Sequence, residues 1–193
     1  MTKCCVPMLA LVLMAGCSSL PPEVVKEYRA RTLYTCCNIH YEHGDISDAN
    51  YYVGRTLPLG TRVTVESAGY KSVTFNAEGV RLTLKHEYGT REESMQGYLN
   101  KVLVGEDPKP RMESYSPSVR NAIATSRVEP GMTREQVLMS LGYPPTHRTP
   151  STSDSEWWYW YNRWVTYKVQ FDEQGRVIST VGRVAPSNNQ PVQ

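Results

Sequence analysis

Val128-Glu129-Pro130-Gly131-Met132-Thr133-Arg134-Glu135-Gln136-Val137-Leu138-Met139-Ser140-Leu141-Gly142-Tyr143-Pro144-Pro145 spells out a helix with its start and stop signals. Pro130-Gly131 keeps the approach irregular. Thr133 can cap the helix, and Gln136 three residues on can bond back to the cap. Val137, Leu138 and Leu141 supply an apolar side. Gly142 suits the left-handed residue that closes a helix, and Pro144-Pro145 cannot continue one.

The chain on either side of this segment is equally patterned. Upstream, Ser116 or Ser118 caps a helix running to about Thr125, with Pro117 in its first turn. Downstream come three period-two runs, Glu156–Asn162, Trp164–Phe171 and Val177–Val184. Asn162-Arg163 and Asp172-Glu173-Gln174-Gly175 provide their turns. The order helix, helix, strand, strand, strand is an α+β pattern.

Several of these elements together resemble the BamE (SmpA/OmlA) family of outer-membrane lipoproteins. The residues that carry the resemblance are the Gly131-Met132-Thr133 helix start, the Leu141-Gly142-Tyr143-Pro144 stop, the aromatic strand Trp157-Trp158-Tyr159-Trp160-Tyr161, and the Phe171-Asp172-Glu173-Gln174-Gly175 turn. The resemblance implies a BamE-like domain over residues 116–184. It also implies a non-catalytic accessory role among envelope proteins, including the machinery that inserts β-barrels into the outer membrane. Some members bind anionic lipid. The usual member places this domain next to its lipidated start, whereas here a β-rich region intervenes.

That region spans residues 31–105. Arg62-Val63-Thr64-Val65, Ser72-Val73-Thr74-Phe75 and Val80-Arg81-Leu82-Thr83-Leu84 alternate polar and apolar residues. The intervening Ala68-Gly69-Tyr70 and Asn76-Ala77-Glu78-Gly79 have turn chemistry, so three strands form a meander. Leu33–Tyr41 predicts one further strand and Tyr51–Val53 a short one. A small all-β barrel or sandwich follows from these counts. Leu57–Val65 is similar to a strand start in bacterial SH3-like domains. Thr90 with Glu93 predicts a trailing helix to Leu103. Residues 106–115 read as a linker and 185–193 as a disordered tail.

The N-terminus is an address. Lys3 and the apolar run Val6–Ala15 form an export signal, too short for the ~20 residues that span a bilayer. Leu13-Met14-Ala15-Gly16-Cys17 resembles a lipobox, which implies cleavage after Gly16 and lipid of the palmitate type on Cys17. Residues 17–30 would be the tether. Ser18 and Ser19 stand where lipoproteins retained in the inner membrane carry Asp, so the resemblance places the chain on the outer membrane, facing the periplasm.

The chain's formal net charge is +2, and Lys3 leaves with the signal. A near-neutral mature chain carries no footprint for nucleic acid. Once Cys4, Cys5 and Cys17 are set aside, only Cys36 and Cys37 remain. A vicinal disulfide, an intermolecular bond and two buried thiols are all compatible with that pair.

Three side-chain groupings stand out. Cys36, Cys37, His40 and His43 are metal-ligand types, but strand parity sets His43 opposite His40, so no metal site is assigned. In the aromatic run, Trp157, Tyr159 and Tyr161 share one strand face, and Trp158 and Trp160 share the other. Helices can cover only one face of a three-stranded sheet. The second face then meets the β-rich region, a protein partner or lipid headgroups, and these five residues are the candidate protein-binding set. Asp45 and Asp48 flank a turn as backbone caps. Serine-hydrolase, zincin and phosphate-loop motifs are missing, so neither enzyme activity nor a cofactor is expected. Alternative roles are a small-ligand or metal-binding lipoprotein, or a cell-wall-binding module.

Overall fold

The computed structural model describes residues 22–182. The signal segment, Cys17 and the C-terminal tail lie outside the described residues. Among those described, no helix is long and apolar enough to cross a membrane.

The first half runs α1 (Pro22–Ala30), β1 (Leu33–Thr35), β2 (Ile39–Tyr41), β3 (Asp45–Ser47), β4 (Arg55–Leu57), β5 (Arg62–Ala68), β6 (Ser72–Ala77), β7 (Val80–Lys85), α2 (Met95–Val102) and β8 (Leu103–Val104). The second runs α3 (Lys109–Glu113), α4 (Pro117–Ala124), α5 (Arg134–Leu141), β9 (Glu156–Asn162), β10 (Val165–Phe171) and β11 (Val177–Gly182).

The meander forms as the alternation predicts. Strands β5, β6 and β7 pair antiparallel in a six-stranded sheet ordered β3-β7-β6-β5-β1-β8. Val63, Val65, Val73, Phe75, Leu82 and Leu84 point into one core with Leu99 and Met95 of α2. Each such side chain contributes about 1.5–3 kcal/mol by leaving water. Glu78 and Gly79 both take positive φ in the β6–β7 turn, and the Asn76 side chain accepts from the Gly79 N–H.

Several elements differ from the sequence expectation, among them helix α3 inside the segment read as a linker and strands β3 and β4 where no strand was expected. Leu33–Tyr41 is not one strand. β1 pairs with β5 and β8, whereas β2 pairs with β4 in a separate ribbon. Between them Cys36 and Cys37 share a disulfide, and the Asn38 N–H leaves the sheet to donate to Met139 O in the second half. The trailing helix starts at Met95 under a Ser94 cap, because the Glu92 and Glu93 N–H groups close a turn on Gly89 O. Tyr51–Val53 forms no strand within its own half. Instead, Tyr51 bridges in parallel to Trp160 on β9.

The second half follows its signals. Ser116 caps α4 with Pro117 in the first turn, and Thr133 with Gln136 forms the capping box of α5. Sheet order is β11-β10-β9. Trp157, Tyr159, Tyr167, Val169, Phe171 and Val177 pack against Ile123, Met132, Val137 and Leu141. Tyr159 and Tyr167 stack at 5.6 Å, and burial raises both hydroxyl pKa values well above the ordinary tyrosine range.

The two halves meet at the C-terminal end of α5, and the double proline explains why. A helix leaves its last carbonyls without donors. Pro144 and Pro145 occupy the positions whose N–H groups would have reached Ser140 and Leu141. Two asparagines of the first half replace them. Asn38 Nδ2 donates to Ser140 O at 3.2 Å and to Ile123 O at 2.5 Å, and Asn50 Nδ2 donates to Leu141 O at 2.7 Å and Tyr143 O at 2.9 Å. Asn38 Oδ1 accepts from the Leu59 N–H at 2.9 Å, and Leu59 packs in the second core. Gly142, at φ 76°, turns the chain so closely past this joint that a Cβ would lie 3.1 Å from Asn50 Nδ2.

Candidate functional site

Strand β9 divides its aromatic residues as its alternation requires. Trp157 is 0% exposed and Tyr159 1%, so both belong to the core and offer a partner no surface. Tyr161 packs against the same core, its ring 5.9 Å from Tyr52. Trp158 and Trp160 face the other way and are half-buried.

The Trp158 ring carries two cations, with the Arg148 guanidinium at 4.6 Å and the Lys168 ammonium at 4.3 Å from its centroid. Such contacts contribute about 0.5–1 kcal/mol each at an accessible site. Register explains the arrangement, because Lys168 sits directly opposite Trp158 on β10 and Val181 opposite Lys168 on β11. Beside that row runs a polar one. Lys168 and Gln170 bond Glu156 at 3.0 and 2.8 Å, and Ser179 Oγ donates to Gln170 Oε1 at 2.8 Å. The bonds from Gln170 and then Lys168 hold the Glu156 carboxyl below its ordinary pKa.

Near Trp160 the first half closes the sheet edge. The Tyr52 N–H donates to Trp160 O at 2.9 Å, while the indole N–H of Trp160 is buried without a partner among the described residues. At the β9–β10 tip, Asn162 Oδ1 accepts from the Trp164 and Val165 N–H groups at 2.9 and 3.0 Å. That turn holds Trp164 outward, 81% exposed. Ile178 and Val181 on β11 are also exposed. The large apolar side chains left open on the second half are Trp164 at the β9–β10 tip and Val181 and Ile178 along β11, with Ile178 at the far end beside the β10 bulge, while Trp158 lies behind its cations. The aromatic count in the sequence concealed Trp164, although its place beside the Asn162-Arg163 turn is the signal for exposure.

The Cys36–His43 segment does not assemble a metal site. Both thiols are in the disulfide. His43 sits in a turn at φ 53°, and no group of three potential ligands occurs among the described residues. His40 instead packs on Tyr52 at 4.7 Å with Nδ1 3.3 Å from Thr56 Oγ1. Burial lowers its pKa from 6.5 to about 4, so the ring is neutral at pH 7.

Asp48 turns out to be more than a turn cap. Its buried carboxylate accepts from the N–H groups of Glu87, Tyr88 and Gly89 and lies 2.8 Å from His86 Nδ1. His86 Nε2 contacts Glu93 O at 2.8 Å, and the ring stacks on Tyr98. Every polar atom of this pair is occupied by the fold, which makes it a clamp on the chain after β7.

Residues 118–180 match the family model described as the outer membrane protein assembly factor BamE domain. The match begins within α4 and ends within β11, so it takes in α5 and most of the three-stranded sheet. No curated protein and no solved structure gives a significant match to the chain.

Proposed function

We propose that this chain is a non-catalytic lipoprotein, anchored in the outer membrane by lipid on Cys17 and facing the periplasm. It binds envelope proteins through its BamE domain and supports outer-membrane protein assembly or envelope integrity. The BamE match over residues 118–180 is the observation that carries this reading. The lipobox-like Leu13–Cys17 segment supports the anchor, and more than one acyl chain gives firm attachment. Exposed Trp164 at the tip, with Val181 and Ile178 along β11, supports a protein-binding role for this domain.

Two measurements test it. Cys17→Ala should move the protein out of the membrane fraction; unchanged fractionation contradicts lipid anchoring. Mild crosslinking of the intact protein in its native envelope should recover barrel-assembly subunits. Their consistent absence, with other envelope proteins recovered, would detach the domain from that machinery.

A further inference from the structure

Where the β9–β10 tip approaches the first half, an open cleft of about 270 Å³ is lined by residues of β2 and β3, by the chain around Tyr51, by the chain after β7 and by Arg163. Through Arg163 it adjoins exposed Trp164, although Trp164 is not part of its lining, and that lining has unspent hydrogen-bonding capacity. Glu42, Glu87 and Arg163 make no side-chain hydrogen bond or ion pair among the described residues.

The lining also narrows the ligand. Lys85 is already bonded to Asp45 at 2.5 Å, and Arg163 stands against Glu42 and Glu87, so the charges nearly balance and favour no strongly charged guest. An apolar guest would strip water from these ions without repaying the loss. A bare metal ion has no set of three ligands here among the described residues. Tyr51 and Tyr88 meet edge to face, with centroids 6.5 Å apart and hydroxyls at 3.4 Å, and Tyr88 remains 50% exposed. Tyr88 also packs on His147 at 5.9 Å, so the corner presents a half-exposed aromatic ring beside planar acceptors and a planar donor. A sugar ring matches it: its hydroxyls both donate and accept, and its C–H face packs on an aromatic ring. The volume lies at the small end for ligand pockets, which suits one ring rather than an extended chain.

We propose that this cleft binds one ring of a neutral glycan. Glu42 and Glu87 accept from its hydroxyls, Arg163 donates and Tyr88 packs on its face. Its lining shares no residue with the protein-binding surface, so either assignment can fail alone.

The test is saturation-transfer NMR on the full-length lipoprotein in detergent, with two neutral trisaccharide probes, one of N-acetylglucosamine and one of glucose. At least one probe should receive saturation at millimolar concentration. Which one does so distinguishes an amino-sugar glycan from a simple glucan. Tyr88→Ala and Arg163→Ala alter exposed side chains, and each should weaken binding about tenfold with an unchanged circular dichroism spectrum. No transfer to either probe overturns the proposal. Equal transfer in the wild type and both variants also overturns it, because the sugar would then sit elsewhere.

Discussion

Asn38→Ala tests the joint between the halves. The side chain is buried and spans them, with Nδ2 reaching Ile123 O, Ser126 Oγ and Ser140 O, and Oδ1 taking the Leu59 N–H. Ile123 O keeps a second donor, the Ser126 N–H, so it is not orphaned. Ser140 O is, because Pro144 has no N–H to offer it. The Leu59 N–H is orphaned as well. Two buried unmet groups at about 1–3 kcal/mol each give a loss of about 3 kcal/mol. With a urea slope of about 2 kcal/mol per molar, the midpoint should fall by about 1.5 M. All four tryptophans, Trp157, Trp158, Trp160 and Trp164, lie in the second half, so their fluorescence reports that half, while far-UV circular dichroism reports both. Both probes should show one coincident transition in the wild type, and both should move together in the variant. A midpoint shift under about 0.3 M would refute the reasoning, as would a fluorescence transition that stays in place while the dichroism moves.

Other perturbations have equally direct outcomes. Asp48→Ala strands three backbone N–H groups and His86, and should cost about 3–5 kcal/mol, read as a fall in melting temperature of about 10 °C. His40 is neutral when folded and takes up a proton when unfolded below pH 6.5, so its contribution is complete above that pH and fades as pH falls towards 4. The wild type should therefore lose about 3 kcal/mol relative to His40→Gln over that window, measured by urea titration at each pH; a constant difference contradicts the buried neutral ring. Gly142→Ala forces a side chain into left-handed backbone against Asn50 and should cost about 2–3 kcal/mol in chemical unfolding.

The second half was legible because its signals are local. A capping box, a glycine stop and three alternating strands each lie within a few residues, and the structure reproduces them. The meander of the first half was legible for the same reason. What escaped was non-local. Nothing near Leu33–Tyr41 announces that the Asn38 N–H will serve Met139, about one hundred residues away. The capping residues Thr90 and Ser94 compete within one short stretch, and the winner depends on turn bonds to Gly89. In the aromatic run, parity correctly separated Trp157 and Tyr159 from Trp158. Which of the outward rings stays open depended on Arg148, Lys168 and Tyr52, which the strand itself does not contain.

The most direct test of the central claim is site-specific photocrosslinking in the intact envelope, with a benzophenone side chain at position 164 and, as control, at exposed position 64 on β5. Position 164 should yield a discrete protein adduct, and position 64 none of the same mass. Lipid adducts alone at position 164, or the same protein adduct from both positions, would contradict a protein-binding surface at the tip of the BamE-like domain.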